Sequence, residues 1–284
     1  MTSAGRFDLH THSVRSDGHH TPREVVTLAH GVGLDGVALT DHDTGDGLAE
    51  ALEAGDELGL EVIPGTEFSA ELGGRSVHVL AYWHDHTEAA LAAELLRLRD
   101  ARSDRALRMV ENFNALGVPI TFTRVLEIAA GAPVGRPHLA QAVVEVGACA
   151  DEREVFERYL ADGGPADAPK HAVDPVRAVE LLRGAGGVVV LAHPALFGAR
   201  DGGEEIPTDA LEAMVEAGLA GVEAEHPAHP GPAVERWTAL ARRYGLLVTA
   251  GSDHHGGERE VPVGAAVTGR ETLERLRSLR GEGP

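Results

Sequence analysis

Seven short apolar runs alternate with helical stretches along this chain, and five of them deliver a histidine or a carboxylate at or just beyond their C-terminal ends. The runs that read as strands cover residues 7–10, 36–40, 61–64, 76–82, 188–192, 221–224 and 246–250. Helical periodicity fills 22–30, 47–58, 174–185, 208–217 and 233–244. Pro22 behind Thr21, and Pro175 behind Asp174, have the form of a first-turn proline following an N-cap. Repeated strand–helix units need crossover connections, so they predict an α/β chain with a mainly parallel sheet or barrel.

One stretch breaks this rhythm. From 88 to 170 the chain carries helix signals and little strand: one long helix or two over 88–116, then shorter ones over 123–130, 137–147 and 152–160. The expected organisation is a barrel built from 1–87 and 171–284, with 88–170 as a helical insert. The Gly-, Pro- and Ala-rich segment 162–169 reads as the exit linker.

Composition narrows the function classes. The 25 basic and 45 acidic residues give a formal charge of −20. Such a surface repels long duplex nucleic acid, which is gripped through basic patches. No run approaches the roughly 18 apolar residues of a membrane span. The start of the chain has no signal-peptide core, and the single Cys149 forms no internal disulfide. A reducing, cytoplasmic setting is the expectation.

The sixteen histidines are the odd feature, and their positions matter more than their number. His10 and His12 flank Thr11, so on an extended backbone both point to one side. Asp17 sits in the turn Ser16-Asp17-Gly18, and the second run ends in Asp41-His42-Asp43. Asp43 or Thr44 is expected to cap the helix that follows, which leaves His42 without a structural reason. Asp41 is expected to support the site from behind its ligands. Glu67 follows the third run, His78 lies inside the fourth, His193 ends the fifth, and Asp253 and His255 follow the last. In parallel barrels chemistry gathers at the C-terminal ends of strands. Mixed imidazole and carboxylate ligands suit Zn, Mn or Fe. These nine side chains exceed what one ion can use, so two or three divalent ions are expected.

In order and spacing, His10-Thr11-His12, Asp17-Gly18, Thr40-Asp41-His42-Asp43, Pro64-Gly65-Thr66-Glu67, His78, Ala192-His193-Pro194 and Gly251-Ser252-Asp253-His254-His255 resemble the PHP (polymerase and histidinol phosphatase) family. The resemblance spans about Phe7 to His255. Within the family it is most similar to stand-alone metal-dependent phosphoesterases that act on nucleoside 3′,5′-bisphosphates or on short RNA. Gly135-Arg136-Pro137-His138-Leu139-Ala140, Tyr159-Leu160 with Pro169-Lys170, and Gly221-Val222-Glu223 with His226-Pro227 and His229 match further motifs of that branch.

The resemblance implies a distorted (β/α)7 barrel with a helical insert. It implies one ion held by His10, His12, Glu67 and Asp253, a second by Glu67, His78 and His193, and a third by Asp17, His42 and His255. The implied reaction is hydrolysis of a phosphomonoester by a hydroxide shared between two ions. A cationic side chain would meet charge on the phosphate oxygens. Arg136 is the first candidate for that role and Lys170 the second, while His138 or His229 would protonate or position the leaving oxygen. The expected partner is a small phosphorylated nucleotide or short 5′-phosphorylated oligonucleotide. Two departures bear on substrate. Where relatives often carry Gly-Arg-Tyr, this chain has Ala195-Leu196-Phe197, and where they often carry an aromatic it has Glu225. Histidinol phosphate, a specialised phosphorylated metabolite, or a non-catalytic module are the competing readings. The insert and Asp17 count against histidinol phosphate, and the filled ligand positions count against the non-catalytic module.

Overall fold

The computed structural model describes residues 5–131, 134–161, 163–168, 173–197, 205–257 and 261–280. Two compact units emerge, one formed by 1–93 with 172–284 and one by 94–171.

In the first unit, seven strands form one sheet in sequence order: β1 (Phe7–Asp8), β2 (Gly36–Leu39), β3 (Glu61–Leu72), β4 (Arg75–Tyr82), β5 (Val188–Leu191), β6 (Gly221–Glu225) and β7 (Leu247–Ala250). The segment after β7 then pairs with the segment after β1. The Asp253 amide donates to the His10 carbonyl at 2.9 Å and the His12 amide to the His254 carbonyl at 2.8 Å. These bonds bring the two ends of the sheet together, and the result is a distorted (β/α)7 barrel.

The helices of this unit are α1 (Pro22–Gly31), α2 (Leu48–Leu58), α7 (Pro175–Gly184), α8 (Thr208–Glu216), α9 (Gly231–Tyr244) and α10 (Arg270–Ser278), and the first residues of α3 (Ala89–Ala115) also belong here. Thr21 and Glu24 close a capping box on α1, and Asp174 caps α7 ahead of Pro175. Phe7, Leu9, Ile63, Leu80, Tyr82, Val188 and Val190 share one buried cluster. The Tyr82 hydroxyl donates to the Leu9 carbonyl at 2.9 Å within it. Val25, Val26 and Ala29 of α1 pack with Val37, Leu39, Ala51 and Ala54 in another.

Three details depart from the sequence reading. First, β4 is antiparallel to both β3 and β5. Gly73 and Gly74, both at positive φ, make the hairpin that reverses it. A Gly-Gly pair between two strands is a hairpin signal. Second, β3 does not stop at Pro64 but runs on to Leu72. Proline usually marks a strand end or edge, and here it lies inside the strand, in register with Leu39. Third, neither Asp43 nor Thr44 caps α2, whose N-cap is Gly47. The Asp43 carboxylate instead accepts the Ser69 amide at 2.7 Å, which fastens the turn after β2 to β3.

The second unit contains the remainder of α3 with α4 (Phe122–Ala129), α5 (Arg136–Glu145), α6 (Glu152–Val155) and a π-helical turn, Phe156–Leu160. Met109, Phe113, Val125, Leu139, Val143 and Leu160 form its core. Arg105 donates to the Ala168 carbonyl and pairs with Asp167 at 2.6 Å, tying the end of this unit to α3. Among the described residues no helix is long and apolar enough to cross a membrane.

Candidate metal centre

The site begins where β1 ends. His10 and His12 stand on either side of Thr11, which bridges to His254, so both rings turn inward and are fully buried. Their Nε2 atoms face each other at 3.1 Å. Glu67 Oε2 lies 3.2 Å from His10 Nε2 and 3.1 Å from His12 Nε2. Asp253 Oδ1 lies 3.3 and 3.2 Å from the same two nitrogens. Four ligands held tetrahedrally at about 2.1 Å from an ion stand about 3.4 Å apart. The donor types and spacings of this group therefore fit a divalent cation.

Glu67 serves more than one group. Its Oε1 is 2.8 Å from both His78 Nδ1 and His193 Nε2. The reversal of β4 explains His78: the hairpin places it directly opposite Ser69. Glu67 and Ser69 share one face of β3, so His78 reaches the same interior side. On the other flank, His42 Nδ1 is 3.2 Å from Glu67 Oε2, and its Nε2 is 3.8 Å from Asp17 Oδ2. His255 Nε2 is 3.4 Å from Asp17 Oδ1, and His12 Nδ1 is 3.8 Å from it. Three sets have ligand atoms within 4.8 Å of one another: His10, His12, Glu67 and Asp253; His12, Asp17, His42 and His255; and His42, Glu67 and His78. Asp17 Oδ1 and His42 Nδ1 are buried without a hydrogen bond of standard geometry, which leaves donor atoms free for a cation.

Mutual charge governs protonation here. Burial pushes the Glu67 carboxyl up, but His42, His10 and His78 outweigh it and hold it well below the usual carboxylate range. Burial pulls His12 down, yet Asp253 and Glu67 bring it up to about 10. His42 goes the other way: burial, reinforced by His12 and His78, overcomes Glu67 and Asp17 and lowers it to about 4.

Two of the candidate residues carry backbone strain. His193 has φ 24° and Asp253 has φ 54°, the left-handed region that non-glycine residues avoid. The Asp253 amide is held by the His10 carbonyl, and the His193 amide by Glu223.

Behind the donors stands a set of buried carboxylates. Asp41 accepts the Ser13 amide, the Ser13 hydroxyl and the Ser16 hydroxyl, each at 2.7 Å, and so fixes the turn that carries Asp17. Asp8 accepts amides from His10, Ser252 and Gly264. Asp8 and Glu223 were not among the sequence candidates, although a carboxylate inside an apolar strand is itself a signal. His226 was also missed as a site residue. Its Nε2 lies 3.4 Å from Asp253 Oδ2, and its Nδ1 accepts the Ala228 amide. His254 faces away from the donors, with Nδ1 on the Val261 carbonyl and Nε2 3.1 Å from His20 Nδ1.

The remaining sequence candidates fall in different places. His229 is buried, donates from Nδ1 to the Ala224 carbonyl at 2.9 Å, and leaves Nε2 without a partner. Burial lowers its pKa, against the hydrogen bond to the Ala224 carbonyl. In the second unit, Arg136 opens α5 and donates to the Leu160 carbonyl at 3.2 Å. His138 accepts the Gly135 amide at Nδ1, which closes the helix start and leaves Nε2 as the protonated nitrogen of the neutral ring. Lys170 lies outside the described residues.

Known proteins point the same way. The PHP domain family matches residues 8–116. A 3′,5′-nucleoside bisphosphate phosphatase from Chromobacterium violaceum is 35% identical over 259 residues, covering 90% of this chain and 90% of the relative. A phosphoribosyl 1,2-cyclic phosphate 1,2-diphosphodiesterase from Eggerthella lenta is 35% identical, covering 90% of this chain and 96% of the relative. Among solved structures, a protein from Bifidobacterium adolescentis assigned to the metal-dependent phosphoesterases superposes with a TM-score of 0.90 at 35% identity, over 97% of this chain and 96% of that one. With its barrel, its inward-facing histidines and carboxylates, and these likenesses over nine-tenths of its length, the chain belongs to the PHP family and is a metal-dependent phosphoesterase.

Proposed function

We propose that the enzyme removes a phosphate from a small nucleotide, with nucleoside 3′,5′-bisphosphates and short 5′-phosphorylated oligonucleotides as the substrate class, and that it does so with two to three divalent ions. The observation that carries the reading is Glu67, one carboxylate facing five imidazoles from both of its oxygens. That arrangement suits a carboxylate shared between neighbouring cations.

In this reading His10, His12, Glu67 and Asp253 hold one ion, Glu67, His78 and His193 a second, and Asp17, His42 and His255 a third. Mn, Fe and Zn all suit such a donor set. Bound ions of this kind supply Lewis acidity towards phosphate oxygens and lower the pKa of water towards about 7. The chain's residues do the rest. Asp253 and Glu67 neutralise the charge gathered between His10 and His12. Arg136, with Lys170 second, meets the phosphate oxygens, since a guanidinium presents a planar fork to them. His138 offers a protonated Nε2 to the leaving oxygen. His229, fixed through Nδ1 on the Ala224 carbonyl, positions that oxygen in the alternative reading. The net charge of −20 favours a small anion steered by local cations over a long duplex. The name of the Chromobacterium violaceum relative supports a nucleotide bisphosphate.

The test is phosphate release by metal-loaded protein from adenosine 3′,5′-bisphosphate, AMP, short 5′-phosphorylated RNA and histidinol phosphate, with metal content measured on the same sample. Release from the bisphosphate that is abolished by a chelator supports the reading. Preference for histidinol phosphate, or silence on all four with metal bound, overturns the substrate class and moves it to another phosphorylated metabolite.

A further inference from the structure

Glu223 lies on β6, fully buried, and is not a donor in any of the three groups. Its carboxylate contacts two of the donor-bearing segments. Oε1 and Oε2 lie 3.1 and 3.2 Å from His10 Nδ1, and Oε2 accepts the His193 amide at 2.9 Å. We propose that Glu223 is a positioning residue that fixes His10 with its proton on Nδ1, presents Nε2 to the ion site, and pins the strained turn bearing His193. The inference rests on the metal-site reading above.

Three observations support it. A metal-ligating histidine is commonly oriented by an acceptor on its other ring nitrogen, and Glu223 is the acceptor on that side of His10. His193 sits at φ 24°, ψ 54°, and a residue in that region persists only where its surroundings enforce it. Its amide hydrogen bond runs to Glu223 and to no backbone carbonyl of its own strand. Finally, the chain leaves room for the contact. A Cβ at Gly251 would stand 2.4 Å from His10 Cβ and 2.7 Å from Glu223 Oε1. Any side chain there would force the pair apart.

The chemistry requires a carboxylate. The His193 amide is an N–H donor, and with a proton on Nδ1 so is His10, so the two oxygens of Glu223 both act as acceptors. Glutamine would turn its own NH2 towards one of these donors, and aspartate is one methylene short. E223Q therefore loses either the orientation of His10 or the grip on His193.

The experiment uses Zn-loaded full-length protein labelled with 15N-histidine, alongside E223Q and G251A. In the wild type the His10 resonances should show a proton on Nδ1 and a ligated Nε2. E223Q and G251A should hold zinc at the His10 group about 10–100-fold more weakly, with the His10 signature altered and far-UV circular dichroism unchanged. Wild-type zinc affinity and an unaltered His10 spectrum in E223Q overturn the proposal while leaving the metal-site reading intact. A wild-type protein that binds none of zinc, manganese or iron overturns both. If neither variant folds, the wild-type spectrum still decides: a proton on His10 Nε2 in the loaded protein is incompatible with the proposed role.

Discussion

His78 Nδ1 stands 2.8 Å from Glu67 Oε1 because β4 runs against both of its neighbours. A parallel fourth strand would carry its early residues to the opposite end of the barrel. The hairpin instead folds residue 78 back over β3, so one long strand and its return bring an acid and a base to the same mouth. Glu67 then becomes the common neighbour of five histidines. Replacing it should therefore have consequences beyond one ion. Glu67→Ala is expected to lose two ions together, whereas His42→Ala should deplete mainly the one assigned to Asp17 and His255. Activity of Glu67→Ala should fall by more than the roughly 10–100-fold typical of losing an outer partner. Metal stoichiometry by mass spectrometry checks this, and equal depletion in both variants would overturn the sharing.

Asp41 tests the support behind the donors. Its two oxygens accept one amide and two hydroxyls from residues 13 and 16, and Ser16 also lies 3.5 Å from His12 Nδ1. Asp41→Ala strands a buried amide, which costs about 1–3 kcal/mol. It also frees the turn that aims Asp17. The expected outcome is a lower melting temperature together with selective loss of the ion assigned to Asp17, His42 and His255, and about 10–100-fold lower activity. A variant that is less stable but fully metallated would limit Asp41 to a folding role.

Much of this centre was legible in the sequence because its donors are tied to strand ends. Apolar runs that lead to His, Asp or Glu declare both the barrel and its mouth, and the side alternation around Thr11 follows from an extended backbone, whereas Asp253, at φ 54°, leaves the extended region. What escaped depends on tertiary detail. Pro64 suggested a strand end, yet the strand continues through it. The Gly73-Gly74 pair is a hairpin signal that the expectation of mainly parallel units does not include. α10 (Arg270–Ser278) was overlooked, a short helix dominated by charged residues whose only fully buried apolar side chains are Leu273 and Leu276. Glu223, Asp8 and His226 act through partners far along the chain, and single-residue spacing does not reveal such partners.

His84 gives a stability prediction well away from the donors. It is 8% exposed, and among the described residues neither ring nitrogen makes a hydrogen bond of standard geometry. Burial, with His86 nearby, lowers its pKa to about 4, against 6.5 for an ordinary histidine. In the unfolded chain it binds its proton first as pH falls, so it contributes stability above about pH 6.5 that drains away towards pH 4. The full effect approaches about 3 kcal/mol at one unit per 1.36 kcal/mol. His84→Phe keeps the ring volume and removes the titration. Urea unfolding of chelator-stripped protein from pH 7 to 4 should show a shallower acid loss for His84→Phe than for wild type. Parallel profiles would mean that the histidine titrates normally in the fold.

Arg136 separates a structural role from a chemical one. Its guanidinium donates to the Leu160 carbonyl, which joins the start of α5 to the end of the π-helical turn. Losing that bond alone should cost about 1 kcal/mol, with no reason for turnover to change beyond the fraction unfolded. If the same guanidinium also meets phosphate, Arg136→Ala should lower kcat/KM by about 100-fold or more, the scale of removing one donor to a charged transition state. Arg136→Lys keeps the charge but loses the planar fork, so it should recover only part of that loss. The informative comparison is kcat/KM against melting temperature across the three proteins. A fall in activity out of proportion to stability, partly restored by lysine, supports contact with phosphate. Activity that simply tracks stability would confine Arg136 to holding the helical unit together.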